Sequence, residues 1–331
     1  MGNGKPDQAR RAIESEIVSH RIDGSSRDVR ANGRADPTAF DLASYLAERV
    51  AIIEKALSRA VAERPGADTR LFEAMRYSLL AGGKRLRPVL VLAACEAVGG
   101  RIEAAMNFAC AIEMIHTYSL IHDDLPSMDD DDLRRGMATN HKVYGEAVAI
   151  LAGDGLLTDA FRIAAESDAP PSVVLGAIAD LAAAAGSSGM VAGQVIDVLG
   201  EGVSMTLDQL EHLHGKKTGA LFVAAVIGGA RLGGASNSQL SALDAYARAL
   251  GLAFQVVDDL LDVQASSEQM GKRTGKDEAR GKNTYPSIIG IERSAELARQ
   301  LEQRAHRALA GFDDRAEPLR RLASFAIERK Q

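Results

Sequence analysis

The chain has no tryptophan, two cysteines and only 4% aromatic residues among 331, and each scarcity closes off a class of protein. Cys95 and Cys110 both stand in apolar runs; they are too few for a disulfide framework and read as small core residues of a reducing cytoplasm. Nothing near the N-terminus forms an apolar core, so no secretory signal is expected. Met1-Gly2 opens like a myristoylation signal, but Pro6 stands where a hydroxyl side chain is required. The uncharged run from Thr218 to Ala230 falls short of the about 18 apolar residues a membrane span needs, and no span is expected. A net charge of -6 leaves no basic footprint for nucleic acid. No stretch alternates at period two with β-branched residues for long enough to make a strand.

What is present is apolar sequence in helical repeat. Residues 1–37 are polar, mix both charges and read as a tail with at most a weak helix at 7–19. From there the 46% hydrophobic composition supports one large core, a single domain over 38–331. Phe40, Leu42, Leu46, Val50, Ile53 and Leu57 give a first helix one buried face, ended by Pro65-Gly66. Further helices are predicted at about 68–81, from about Pro88, and at about 102–125, 141–167, 171–185, 187–200, 206–232, 236–265, 293–311 and 314–329. The expected fold is all-α, with long Ala- and Gly-rich helices packed closely around a central cavity.

Two acidic clusters each end an apolar helical run: Asp123, Asp124 and Asp129 to Asp132 in the first, Asp258, Asp259 and Asp262 in the second. An aspartate-rich loop by itself is commonly just solvated. The second cluster weighs against that reading, because a helix whose other face is Phe254, Val257, Leu260 and Leu261 has no structural use for three aspartates. Asp258 and Asp262 share a face at i, i+4, with Asp259 about 100° round. Like charges so placed repel, and their apolar border raises the cost of ionisation. A hard divalent cation with oxygen ligands removes both penalties, and Mg2+ is held by one or two carboxylates plus substrate phosphate. Lys84, Arg85 and Arg87 cluster at a helix start, where amides and cations together suit phosphate. Arg134 and Arg135 follow the first cluster; they either balance its charge or hold phosphates bidentately.

Asp123-Asp124-Leu125-Pro126-Ser127-Met128-Asp129 followed by Arg134-Arg135-Gly136, together with Asp258-Asp259-Leu260-Leu261-Asp262, resembles the paired aspartate-rich motifs of the short-chain trans-polyprenyl diphosphate synthases. Within that family the sequence resembles the bacterial farnesyl diphosphate synthases. Gly82-Gly83-Lys84-Arg85-Leu86-Arg87-Pro88, Gly215-Lys216-Lys217-Thr218-Gly219 and Lys282-Asn283-Thr284-Tyr285-Pro286 agree in order and separation, so the resemblance covers about residues 39–330. It implies the isoprenoid-synthase bundle, a homodimer, and condensation of isopentenyl diphosphate with allylic diphosphates such as dimethylallyl and geranyl diphosphate. It implies three Mg2+ ions per site, with Asp123, Asp124, Asp129, Asp258 and Asp262 as the metal residues. Lys84, Arg87, His116 and Arg135 would meet isopentenyl diphosphate, and Arg134 the allylic diphosphate. Lys272 and Lys282 would close over the latter, against the alternative of a solvated loop. Lys217, Thr218 and Gln255 would stabilise the allylic cation or its departing diphosphate. Without the resemblance, a lone histidine such as His116 is more often a satisfied core residue.

Tyr118 lies five residues, about 7.5 Å, before Asp123; a tyrosine there would floor the product cavity early, which resembles the farnesyl (C15) synthases, with Ser119 leaving room beside it. A C20, geranylgeranyl product is the alternative. Two readings of other kinds compete: a terpene cyclase, which would not need the isopentenyl-site cations, and a noncatalytic partner subunit, which would be expected to have lost aspartates. No EF-hand spacing is present.

Overall fold

The computed structural model describes residues 40–61, 69–268 and 283–328; the tail, Pro65-Gly66, Lys272 and Lys282 lie outside them. The first helix, α1 (Leu42–Ala60), is capped by Asp41, whose carboxylate accepts from the Ala43 amide at 3.0 Å, and buries Leu46, Val50, Ile53 and Leu57, the face its period marks out. Helices α2 (Arg70–Leu79) and α3 (Leu86–Ala97) flank the turn at Gly82 and Gly83, and α4 (Ile102–Asp123) follows. A two-residue hairpin, β1 (Leu133–Arg134) against β2 (Met137–Ala138), pairs Leu133 with Ala138. It is too short to leave an alternation in the sequence, and the rest is all-α as expected.

One helix was expected over 141–167; Gly145, at φ 86°, divides it into α5 (Asn140–Tyr144) and α6 (Glu146–Ala165). Next come α7 (Pro171–Ala185), α8 (Met190–Gly200) and α9 (Leu207–His214), the last opened by a reciprocal Thr206–Gln209 capping box. Gly215–Gly219 is a π-helical turn leading into α10 (Ala220–Leu232). α11 (Asn237–Glu268), α12 (Tyr285–Ile289), α13 (Ile291–Ala308), a 3-10 turn at Asp314–Ala316 and α14 (Glu317–Glu328) complete the described chain.

α4 and α10 are apolar on every side and therefore central. α4 buries Phe108, Ile112, Met114 and Ile115, and α10 buries Phe222, Val226 and Ala230. Their close contact needs small residues: a side chain at Gly229 would strike the Val91 carbonyl of α3, and one at Gly228 the Phe108 ring. The two aspartate clusters end α4 and interrupt α11, so the packing that buries these helices also delivers the site. One correction concerns apolar length. Pro171–Gly200, shared by α7 and α8 with a turn between them, has a mean hydropathy of 1.5 over its most apolar window, 33% of it buried, and so reaches the length and composition of a span by those two measures alone. Its isolated Asp180 and Asp197 break the uncharged runs by which the sequence was judged.

His214 on α9 is 8% exposed and its Nδ1 has no partner among the described residues. Burial, ahead of neighbouring charges, holds it down to about 4. The unfolded chain takes up that proton below about pH 6.5 while the folded one excludes it, so stability should fall as pH drops from about 6.5 to about 4. The full loss is on the order of 3 kcal/mol. Urea unfolding across that window should show the slope in the wild type and a flatter one in His214→Gln.

Candidate active site

The last turns of α4 put His116, Ser119 and Asp123 on one face, at i, i+3 and i+7. Asp124 turns elsewhere: its Oδ1 accepts from Arg134 Nε at 2.6 Å and Nη2 at 2.5 Å. The metal role expected of Asp124 would therefore fall to its second oxygen, and Arg134 is anchored before any substrate arrives. The loop after α4 folds back on the helix end. The Asp129 amide donates to the Asp123 carbonyl at 2.8 Å and the Asp131 amide to the Asp124 carbonyl at 3.3 Å, with Asp130 at φ 49°. This return brings Asp129 back to Asp123. Burial, ahead of the neighbouring charges, pushes the Asp123 carboxyl up to about 6; Asp129 and Asp124 add to the rise and Lys217 opposes it.

The glycine-flanked break expected at 215–219 is the π-helical turn, and it carries Lys217 and Thr218. Lys217 Nζ donates to Asp197 Oδ2 at 2.5 Å, and the charges of Asp123 and Asp129 also bear on it. Asp197 was not among the residues singled out from sequence. Its signal was there: it is the one ionisable side chain between Asp180 and Glu201. Thr218 Oγ1 donates to Gln255 Oε1 at 3.2 Å, Gln255 Nε2 donates to Asp259 Oδ1 at 3.0 Å, and the Tyr285 amide donates to Asp259 Oδ2 at 3.0 Å. Asp259 is buried, and burial, ahead of the two donors that oppose it, pushes it up to about 7. Asp258 is half-buried and its charge reaches Arg87, while Asp262, one turn on, is exposed. The first acidic cluster thus bears on Lys217 and the second on Arg87.

The basic loop before α3 separates its three cations. Gly82 and Gly83 take φ 87° and 131°, and Arg85 takes φ 49°. The Arg85 side chain is buried, donating to Glu54 at 2.7 Å, Glu113 at 2.5 Å and the Leu79 carbonyl at 2.7 Å. That inward turn leaves Lys84 exposed and sends Arg87 to the other side. Arg87 Nη1 lies 3.3 Å from His116 Nε2 and its guanidinium 4.9 Å over the Phe222 ring, while its buried Nε has no partner among the described residues. Burial brings Arg87 down to about 10, so it remains cationic at neutral pH. His116 is held well below the ordinary histidine range by burial first and then by four arginines, led by Arg87. It is neutral, and its Nε2 accepts from Arg87. Arg135, at φ 54°, donates to the Gly82 carbonyl and lies against Gly83, where any side chain would strike its guanidinium. Arg87 and His116 are thus in contact, Arg135 bears on both and lies against the Gly82–Gly83 turn, and the group as a whole suits an anion.

Tyr118 is 6% exposed and meets His122 edge-on at 5.7 Å between ring centroids, beside the Ile150 carbonyl of α6 that His122 contacts at 3.1 Å. It points about 140° away from Asp123 on an ideal helix. Ser119, on the Asp123 face, turns its hydroxyl back to the His116 carbonyl at 2.9 Å.

Among the described residues no three His, Cys, Asp or Glu side chains come close enough to hold a metal by themselves. The donors on hand, the carboxylates of Asp123, Asp129 and Asp258, are the hard oxygen set that Mg2+ takes when water and phosphate supply its other ligands. They fit the ion the motifs imply.

Comparison with known proteins agrees with this arrangement. The family model for polyprenyl synthetase matches residues 68–315. The chain belongs to the polyprenyl synthetase family. It is similar to the heterodimeric geranylgeranyl pyrophosphate synthase large subunit 1, chloroplastic, of Arabidopsis thaliana, 48% identical over 324 residues, 96% of this chain and 86% of that one. It is similar also to a dimethylallyltranstransferase of Fischerella ambigua, 46% identical over 325 residues, 96% of this chain and 93% of that one. Among solved structures, an FPP/GFPP synthase from Zymomonas mobilis superposes with a TM-score of 0.77 at 40% identity, covering 86% of this chain and 98% of that one. This polyprenyl synthetase is a trans-prenyl diphosphate synthase with the all-α isoprenyl synthase fold. The terpene-cyclase and noncatalytic readings lose their ground to the polyprenyl synthetase match and the synthase relatives.

Proposed function

We propose that the enzyme adds isopentenyl diphosphate to dimethylallyl and geranyl diphosphate and stops at the C15 product, (2E,6E)-farnesyl diphosphate. The observation that carries the elongation step is the presence of two phosphate-binding groups, the cations Arg87 and Arg135 with neutral His116, which the charge of Asp258 reaches at Arg87, and the cations Lys217 and Arg134, on which Asp123 bears. The first set binds isopentenyl diphosphate; its buried, unpartnered Arg87 Nε awaits an acceptor. Arg134 and Lys217 bind the allylic diphosphate, and Lys217 exchanges Asp197 for the departing phosphate oxygens. Asp123, Asp129 and Asp258 would hold Mg2+, which would neutralise that leaving group. Thr218 and Gln255 turn oxygen atoms toward the allylic cation. Lys84 joins the first set, and Lys272 and Lys282, outside the described residues, are assigned to the allylic diphosphate by resemblance alone.

The C15 limit rests on the bulk of Tyr118. A second reading, a C20 product, is supported by the names of the geranylgeranyl synthase relatives and by the sideways set of Tyr118 against His122. Incubating the pure protein with Mg2+, labelled isopentenyl diphosphate and each allylic primer, then identifying products by mass spectrometry, tests the proposal. Farnesyl diphosphate from the first two primers, barely extended when supplied itself, is expected; geranylgeranyl diphosphate as end product would replace C15 by C20. Tyr118→Ala should shift the end product upward by at least one C5 unit, and an unchanged product length would remove Tyr118 as the floor.

The active form is a homodimer in this proposal. Ile150 and Leu151 on α6, Leu175 on α7, and Val195 and Leu199 on α8 are 43–75% exposed, and a second copy would cover such a face. Leu199→Glu with Val195→Glu should halve the mass seen by light scattering; a wild type already monomeric would dismiss the idea.

A further inference from the structure

Asp259 sits inside an aspartate motif, yet its geometry differs from that of its neighbours. It is 6% exposed, and its two oxygens each accept one bond: Oδ2 from the Tyr285 backbone amide and Oδ1 from Gln255 Nε2, both at 3.0 Å. In its ionised form Asp259 can only accept. Gln255 must therefore turn its NH2 toward Asp259, which leaves its carbonyl oxygen, Oε1, facing Thr218 Oγ1 at 3.2 Å. An amide has two faces of opposite polarity. Without a fixed neighbour it presents either to the substrate with little preference.

We propose that Asp259 is a positioning residue: it fixes the amide of Gln255 so that oxygen, not NH2, faces the allylic cation, and so contributes no ligand to the metal. The inference rests on the prenyl-transfer reading above. The Tyr285 amide makes the arrangement one-directional, since a backbone N–H cannot reverse and so commits Oδ2. Thr218 follows, because its hydroxyl donates to whatever oxygen Gln255 offers.

Reversing the polarity of each partner tests this. In Asp259→Asn the one acceptor oxygen is claimed by the Tyr285 amide, the new NH2 faces residue 255, and Gln255 must flip to present NH2 to the cation. The kcat should fall about 10–100-fold, with KM for the allylic diphosphate and the Mg2+ concentration for half-maximal rate unchanged. In Gln255→Glu two buried carboxylates face each other without a donor, and activity should fall too. The double variant, Gln255→Glu with Asp259→Asn, restores the pattern: the carboxylate now at position 255 accepts from the amide NH2 now at position 259 and keeps an oxygen toward Thr218. It should be more active than either single variant, the coupling expected only of side chains that act as one unit. Thermal unfolding of all three variants separates misfolding from mispositioning. A double variant no better than the worse single one overturns the proposal, as does an Asp259→Asn enzyme whose Mg2+ requirement rises as that of Asp258→Asn does. A wild type that elongates no primer would instead overturn the prenyl-transfer reading itself.

Discussion

Asp123→Asn is expected to lower kcat/KM by about a thousandfold, roughly 4 kcal/mol of transition-state stabilisation, while leaving the fold intact or firmer. The two effects have one cause. Asp123 is buried at the end of an apolar helix beside Asp124 and Asp129, and its carboxyl is pushed up to about 6 by burial and by those acids. Above that pH the metal-free protein bears an ionised group it would rather neutralise. Asparagine removes that cost along with the ligand. Melting temperature without Mg2+ should therefore equal or exceed that of the wild type at pH 7, and the Mg2+ concentration for half-maximal rate should rise. Activity within tenfold of wild type at ordinary Mg2+ would show that Asp123 is not a ligand. Asp124→Asn should behave differently, raising KM for the allylic diphosphate because Arg134 loses its anchor at 2.5–2.6 Å.

Glu113→Ala should destabilise the protein by about 3–5 kcal/mol, the cost of leaving a buried charge without its partner. Arg85 has a fully buried side chain held by Glu113 at 2.5 Å, Glu54 at 2.7 Å and the Leu79 carbonyl. Glu54 retains 27% exposure and can keep only part of the compensation. The pairing matters for the site as well, since it holds Arg85 in the left-handed conformation that sends Lys84 and Arg87 in different directions. Denaturant unfolding measures the first effect, and KM for isopentenyl diphosphate, expected to rise, measures the second. Replacing both partners by apolar residues of similar volume, Arg85→Met with Glu113→Leu, should recover most of the stability. A Glu113→Ala protein as stable as the wild type would mean that Glu54 alone neutralises Arg85.

Residue order carried the site further than the packing. The aspartates closing α4 and interrupting α11 stood out because carboxylates at the end of an apolar helical run have no structural use, and that incongruity is local. The glycine-flanked break at 215–219 was legible for the same reason, two helix-weakening residues four apart, and it became a π-helical turn. The all-α class followed from period alone. Asp197, Glu113 and Glu54 were overlooked because the partner of each, Lys217 or Arg85, is 20 or more residues away in the chain. The hairpin after the first cluster spans two residues a strand, below any pattern that period two can reveal.

Composition and spacing by themselves marked out the helices and the two acidic clusters, while the roles given to the aspartates and cations came from the family resemblance. Only the tertiary structure decided how those charges are shared: Arg85 inward to Glu113, Arg87 toward His116, Arg134 to Asp124, Lys217 to Asp197, and Asp259 away from its motif to Gln255 and Tyr285. Helix period fixes which face a side chain takes, but which group satisfies a buried charge depends on what another helix brings within about 3 Å, and that distance is set by packing between segments far apart in the chain.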